Sequence, residues 1–427
     1  MNSFPYGFSK VLGHKSELAF LNNLILKDRI PSGLIFYGQE SIGKKFTAFS
    51  FASSSLCLDF NSDLNFNNGN SKKSIDGEGG NGDYIGNLNN SPSALVEPCG
   101  ECSSCAGILN KTNSNMIYIE HEKGLINIDK INGLAKALSL LPANDMHRFV
   151  IIDDISKMNT GAMNSILKIL EEPPEKTVFI LIAATLNNIL PTIISRCMIV
   201  NFKPIDEEIL FGYAKNYYIG NGEQNSNGNN NYDVNRNNRE DRNDKEINEF
   251  NNGDKILSAY VRLARGSISN LNDLISGNYI KLRNEIFEIF VSESFSKKLP
   301  FYNYNMSDKF NNIIKNYKES GNKNNKSGNK TGVKARNTDN NSIEIDEGYI
   351  FEIILIILRD ILVYLVTKNI KLIYNVDIYE EIKKIAMLDN FDEEKISEML
   401  EITLSHINNL NYNLNKHISL DRYFSAI

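Results

Sequence analysis

Residues 149–197 read FVIIDDISKMNTGAMNSILKILEEPPEKTVFILIAATLNNILPTIISRC, and this stretch decides the fold. An apolar run, Phe149 to Ile152, ends in two carboxylates, Asp153 and Asp154. A segment with helical periodicity follows and is stopped by Pro173 and Pro174. A second apolar run, Val178 to Ala184, leads into Ser195-Arg196-Cys197. Continuous apolar runs of this length, joined by a helix, are strands buried on both faces of a parallel sheet. Acids at the end of one such strand and an arginine beyond the other are the side chains a nucleotide site uses.

Working outward, four further features set the frame. Strand candidates are Leu34–Tyr37, Ile117–Glu120, Phe149–Asp153, Val178–Ala184 and Met198–Phe202, alternating with helix signals. The expected fold class is therefore α/β, a parallel sheet with covering helices over residues 1–203. Pro204 marks a boundary, after which 204–278 reads as a small helical lid and 279–427 as an all-helical domain. Ile350, Ile353, Ile354, Ile357, Ile361 and Leu365 carry the helical period there. Three stretches rich in Asn, Gly, Ser and charge, about 59–93, 220–254 and 320–341, lack the apolar residues that offset ordering entropy. They are expected to be disordered insertions in surface loops, which tolerate added length.

The 427 residues exceed one typical domain. A net charge of −6 gives no overall basic footprint for nucleic acid and argues against strong independent DNA binding. The opening MNSFPYGFSK has neither the charged-then-apolar order of a signal peptide nor transit-peptide composition. The most apolar stretch, Tyr349 to Val366, carries Glu352, Arg359 and Asp360, so a buried helix rather than a membrane span is expected. A cytoplasmic protein follows as the expectation.

Leu34-Ile35-Phe36-Tyr37 runs into Gly38-Gln39-Glu40-Ser41-Ile42-Gly43-Lys44-Lys45, which matches G-x-x-x-x-G-K and departs at the next position. In a working phosphate loop the glycines let backbone N–H groups cradle phosphates, the lysine reaches the outer phosphates, and a Ser or Thr hydroxyl binds Mg²⁺. Here that hydroxyl is replaced by Lys45. Thr47 is no substitute, because two residues turn about 200° around a helix. The strand–loop–helix context supports the fold; the residues speak against ATP turnover. Asp153 could still hold a magnesium-bound water. Asp154 sits where an ATPase often has Glu, and its shorter side chain moves the carboxylate by about 1 Å. Both acids could equally cap a strand end.

Cys99, Cys102 and Cys105 form C-x-x-C-x-x-C, and Cys57 lies on the helix after the phosphate loop. Such spacing lets thiolates converge on one ion, with Cys57 completing a tetrahedral structural zinc site that staples the first insertion at its ends. An iron–sulfur cluster could use the same ligands. Cys197 reads as a small apolar residue starting a strand.

Together, the altered phosphate loop, C-x-x-C-x-x-C, IIDD, NSILKILEEPP and LPTIISRC resemble the clamp-loader branch of the AAA+ ATPases, within it the delta-prime type of the bacterial DNA polymerase III clamp loader. The resemblance is strong over about 8–58 and 97–205, moderate over 255–278, and architectural beyond 279. It implies an AAA+ domain with zinc module, a helical lid and a C-terminal collar for oligomerisation. It aligns Val11-Leu12-Gly13-His14 with the adenine pocket and Gly38, Gly43 and Lys44 with the phosphate site. Thr185 falls near the polar sensor, and Cys57, Cys99, Cys102 and Cys105 fall on the zinc ligands. Arg196 matches the finger that reaches a neighbour's ATP. Lys45, and Ser269 where active members carry a second sensor arginine, imply a subunit that does not turn over ATP itself. The implied partners are gamma/tau and delta subunits, the sliding clamp and primed DNA, with no membrane. The helix of LEEPP packs Met158, Ala162, Ile166, Ile169 and Leu170 inward, leaving Asn159, Asn164 and Lys168 toward DNA or a neighbouring subunit. Two rivals stand beside this: an active gamma/tau-type ATPase, and a zinc-stabilised scaffold without ATP chemistry.

Overall fold

The computed structural model describes residues 4–60, 95–121, 125–139, 146–222, 252–294, 308–315, 347–388, 392–410 and 423. Nearly all of the first and second Asn-rich stretches, and the whole third, lie outside these residues. The chain divides into two compact units, Met1–Ile209 and Leu210–Ile427.

The first unit is built on a five-stranded sheet: β1 (Gly33–Tyr37), β2 (Met116–Ile119), β3 (Arg148–Ile152), β4 (Thr177–Ala183) and β5 (Met198–Asn201). The spatial order is β2-β3-β4-β1-β5, and every pairing is parallel. Each strand is as expected to within one or two residues at its ends. The ladder starts earlier than the apolar runs because Arg148 and Thr177 pair in register although both are polar. It stops before Asp153, whose carboxylate belongs to the loop side.

Because successive side chains point to opposite faces, each apolar run feeds two cores. Leu34, Phe36, Phe149, Ile151, Val178 and Ile180 pack on one face. Against them lie α1 (Lys15–Leu26) and α2 (Lys44–Ser55), through Leu18, Leu21, Ala48, Phe51 and Ala52. Ile35, Val150, Ile152, Phe179 and Leu181 pack on the other, against α4 (Ile128–Leu138) and α5 (Thr160–Glu171). The short α3 (Ser103–Leu109) lies between α2 and β2 in sequence. This is the expected parallel sheet with covering helices. β1 and β3 flank β4, so the loops leaving their C-terminal ends face each other across it, the usual ligand edge of a parallel sheet.

In α5, Met158 (just before it), Ala162, Ile166 and Leu170 are buried as expected, but Ile169 is only half-buried and Met163 is buried in its stead. Asn159 caps the helix, its Oδ1 accepting from the Ala162 amide at 2.8 Å. After it come α6 (Pro191–Ile194) and α7 (Glu207–Gly222).

The second unit is helical among its described residues: α8 (Asn252–Leu263), α9 (Ile268–Ser276), α10 (Tyr279–Ser294), α11 (Glu347–Thr367), α12 (Tyr379–Ala386) and α13 (Glu393–Asn409). Ile350, Ile353, Ile354, Ile357 and Ile361 of α11 are buried; Leu365 is half-buried and Tyr364 is buried beside it. Asp360, fully buried, accepts the Tyr374 and Asn375 amides at 3.1 and 2.8 Å. Arg283, also fully buried, donates to Asn375 at 2.7 Å and pairs with Asp377. Of the other charges in the apolar stretch, Arg359 pairs with Asp360 at 2.6 Å and donates to the Leu372 carbonyl at 2.7 Å, and Glu352 is exposed. Among the described residues no helix is long and apolar enough to cross a membrane.

Candidate nucleotide-type site, arginine and cysteine cluster

The loop leaving β1 closes as a phosphate loop does. Gly38 adopts φ 147° and a Cβ there would lie 2.1 Å from the Phe202 carbonyl oxygen, so close backbone approach requires glycine. Gly43, at φ 101°, is the N-cap of α2. His14 donates through Nε2 to the Ile42 carbonyl at 2.8 Å and stands edge-on to Phe202, tying the Val11–His14 segment to the loop.

Lys44 is 6% exposed, and its ammonium donates to the Gly38 and Gln39 carbonyls at 2.6 and 2.5 Å. Burial lowers its pKa, while Glu40, Asp153 and Asp154 work in the opposite direction. Thr47 is fully buried and donates its hydroxyl to the Gly43 carbonyl at 3.0 Å, so it offers nothing to a metal.

Lys45 lies against the acid that would serve magnesium. Its Nζ is 3.1 Å from Asp153 Oδ2 and 4.7 Å from the centre of the Tyr118 ring. Tyr118 donates its hydroxyl to the same Asp153 oxygen at 2.8 Å; burial first, then Asp153, pushes the phenol's pKa up. Asp154 adopts left-handed backbone and turns its carboxylate to the Ser156 amide at 3.2 Å and the Ser156 hydroxyl, with Lys157 3.8 Å away. It is thereby spent as a cap. The magnesium that the fold family implies does not fit this donor set. The ligand hydroxyl is gone, the remaining carboxylate is neutralised by an ammonium, and the second acid is engaged locally. Thr185 is exposed just beyond β4.

Arg196 follows α6, whose start is fixed by Pro191 at its first position. Its guanidinium donates to the Thr192 carbonyl at 2.9 Å and pairs with Glu171, the first acid of LEEPP, at 2.8 Å. The side chain is 36% exposed. Lys168 is exposed on α5 and lines a shallow cleft with Ala135 and Leu138 of α4. In the second unit, Ser267 caps α9 by accepting the Asn270 amide at 3.2 Å, and Ser269 is exposed in the first turn of that helix.

The four cysteines meet. The sulfurs of Cys57, Cys99, Cys102 and Cys105 all lie within 4.8 Å of one another. Amides point at three of them: Cys99 to Cys57 at 3.3 Å, Cys102 to Cys99 at 3.3 Å, Cys105 to Cys102 at 3.4 Å. Gly100, at φ 79°, makes the turn between the first pair. Hydrogen bonding from Cys105 holds the Cys57 thiol down at about 4, a ready thiolate, and the same bond pushes Cys105 up. Convergent sulfurs with amide donors suit a tetrahedral Cys₄ ion, whose ligand sulfurs sit roughly 2.3 Å from the metal. Cys197 stays apart, half-buried, its thiol pushed up to about 11 by burial.

Two side chains here were not singled out from sequence: Tyr118, which shares Asp153 with Lys45, and Glu171 as the partner of Arg196. Tyr118 sits one residue before the end of β2, beside β3, and that adjacency was the available signal.

Residues 84–206 match the protein-family model described as DNA polymerase III, delta subunit. The DNA polymerase III tau subunit of Bacillus subtilis is 28% identical over 208 residues, covering 49% of this chain and 31% of that protein. The delta-prime subunit of the same organism is 27% identical over 193 residues, covering 45% and 48% respectively. A gamma-subunit-related protein of Thermotoga maritima superposes over 96% of this chain and 97% of its own at 17% identity, with a TM-score of 0.40. The chain spans between about a third and a half of the length of these two curated relatives. Over about half of its length, the chain is thus similar to subunits of DNA polymerase III.

Proposed function

We propose that the chain is a delta-prime-type subunit of a DNA polymerase III clamp loader. It would help place a sliding clamp on primed DNA, and it does not turn over ATP itself. The observation that carries this reading is the Lys45–Asp153 ion pair, which occupies the place of the catalytic metal, beside an arginine on the SRC segment that is still available at the surface. In this reading Arg196 leaves Glu171 and enters the ATP site of a gamma/tau-type neighbour. A guanidinium there stabilises charge that develops on the transferred phosphoryl group, an effect worth about 10³ to 10⁵ in rate in the best-known cases. Hydrolysis then depends on assembly.

Cys57, Cys99, Cys102 and Cys105 hold a structural zinc ion. With all four positions filled by thiolates, it supplies stability and no chemistry. Residues 204–278 act as the lid and 279–427 as the collar through which gamma/tau and delta subunits assemble. Lys168 faces DNA or a neighbour. The protein works in the cytoplasm.

Reconstitution of the clamp loader with and without this chain tests the proposal. Clamp loading on primed DNA is expected to require it; loading at the full rate without it refutes the assignment. An active gamma/tau-type ATPase is disfavoured by the loss of the magnesium donors, and a pure scaffold by the surface position of Arg196.

A further inference from the structure

In the second unit, the loop between α11 and α12 is pinned from below and open above. Arg262 of α8 donates to the Ile370 and Ile373 carbonyls at 2.9 and 2.7 Å, and Arg359 to that of Leu372 at 2.7 Å. Asp360 and Arg283 fix the rest of it through the Tyr374 and Asn375 amides, the Asn375 side chain and Asp377. Ile373 is buried by this anchoring, but Lys371 and Leu372 are exposed, Leu372 by 47%. The half-buried Tyr374 ring is shared by two guanidiniums, Arg359 at 3.9 Å and Arg265 at 5.4 Å. Arg265 is exposed and holds left-handed backbone, φ 49°, just past α8, where glycine is the favoured residue. Both bonds of Arg359 use Nη1, so its Nε and Nη2 have no hydrogen-bond partner among the described residues. Neither Arg265 nor Lys371 has a carboxylate partner among them. Val366, two turns from Arg359 on the same face of α11, is 57% exposed.

We infer that this surface docks a short acidic peptide segment of a partner protein, anchored by an apolar side chain. Carboxylates meet the open edge of the Arg359 guanidinium, Arg265 and Lys371 as charge-assisted hydrogen bonds. The apolar side chain covers Leu372 and Val366. A phosphodiester backbone would use the same cations but leave both apolar side chains in water. A net charge of −6 also opposes a long polyanion more than a short segment. Because the loop is already held in place, docking orders little of this chain. The inference is independent of the reading of the ATP site.

The test is fluorescence anisotropy of a labelled peptide of three Asp-Asp-Leu repeats, titrated with the full chain. Saturable binding is expected, weakening as salt is raised. Lys371→Glu is expected to weaken it at least about tenfold, and Leu372→Ser at least about threefold. Lys27→Glu, a charge-matched change at an exposed lysine of the first unit, is expected to stay within about twofold of the wild type. Both altered loop side chains are exposed, and circular dichroism checks that each variant is folded. A peptide with Ser in place of Leu is expected to bind more weakly. Absence of saturable binding, an unchanged affinity in either loop variant, or equal binding of the serine peptide overturns the inference. Displacement of the peptide by single-stranded DNA at lower concentration than by unlabelled peptide also overturns it, and would make the surface a nucleic-acid contact.

Discussion

Removing one thiol from the cysteine cluster tests whether an ion is held there. Cys99 is the choice because it is exposed, whereas at Cys57 and Cys105, which are buried, the change would also bury a hydroxyl. Without a metal, Cys99→Ser is an exposed, nearly isosteric change, expected to cost about 0.5 kcal/mol or less. With a metal, the same change opens a cross-link between positions 42 apart in sequence. Treating the ion as a covalent staple, closing a loop of that length removes roughly 13 cal/mol/K of unfolded-state entropy, about 4 kcal/mol at room temperature. For a domain of this size each kcal/mol moves Tm by about 2–4 °C, so a drop of roughly 8–16 °C is expected. The assay is thermal unfolding of wild type and variant, with and without chelator, alongside metal content by native mass spectrometry. Chelator should lower the wild type to the level of the variant and leave the variant where it is. One bound zinc without visible absorption is expected. A Tm shift of a degree or less for both perturbations would refute the metal site, and iron with visible absorption would replace zinc by a cluster.

Other perturbations read other parts of the molecule. Gly38→Ala puts a Cβ 2.1 Å from the Phe202 carbonyl oxygen and is expected to destabilise by at least about 2 kcal/mol in denaturant titration, where a shift below about 0.5 would contradict that approach. Asp377→Ala strands the fully buried Arg283 guanidinium and should cost about 3–5 kcal/mol, measured in the same way. Cys197, with its thiol raised from 9.0 to about 11, should alkylate roughly 100-fold more slowly than a free peptide thiol near pH 8; peptide-like labelling by mass spectrometry would refute its burial. Glu171→Gln removes a pair between two partly exposed groups, so stability should fall by no more than about 1 kcal/mol, while the complex's ATPase should respond if Glu171 holds Arg196 at rest.

The sheet was legible in the sequence because strands buried on both faces must be apolar throughout. Phe149–Ile152 and Val178–Ala183 have no polar interruption, whereas Met198 and Ile199, on edge strand β5, are exposed although apolar. Composition says buried; only the sheet order shows an edge. The helix faces were legible to within one side chain. Ile169 and Leu365 fall at the margin of their stripes, where neighbouring packing rather than periodicity decides burial. Of the site, the glycine-bounded loop between β1 and α2 and the convergence of the four cysteines could be read, since their spacing is local. That Lys45 is paired with Asp153, and Arg196 with Glu171, could not be read. Those partners lie 108 and 25 positions away in sequence and are brought close by the parallel pairing of strands. Asp154 shows the same limit: whether an acid caps a turn or faces a ligand depends on one backbone conformation, here left-handed.

The central claim, that this chain lends an arginine to a neighbouring ATP site while its own is silent, is tested most directly by clamp- and primed-DNA-stimulated ATPase of the reconstituted complex. Wild type would be compared with Arg196→Ala and Asp154→Asn. The expected result is a loss of about 10³-fold or more at the site that Arg196 faces, and unchanged turnover with Asp154→Asn, which keeps the cap oxygen on Ser156. Full turnover with Arg196→Ala, or turnover abolished by Asp154→Asn, would contradict it.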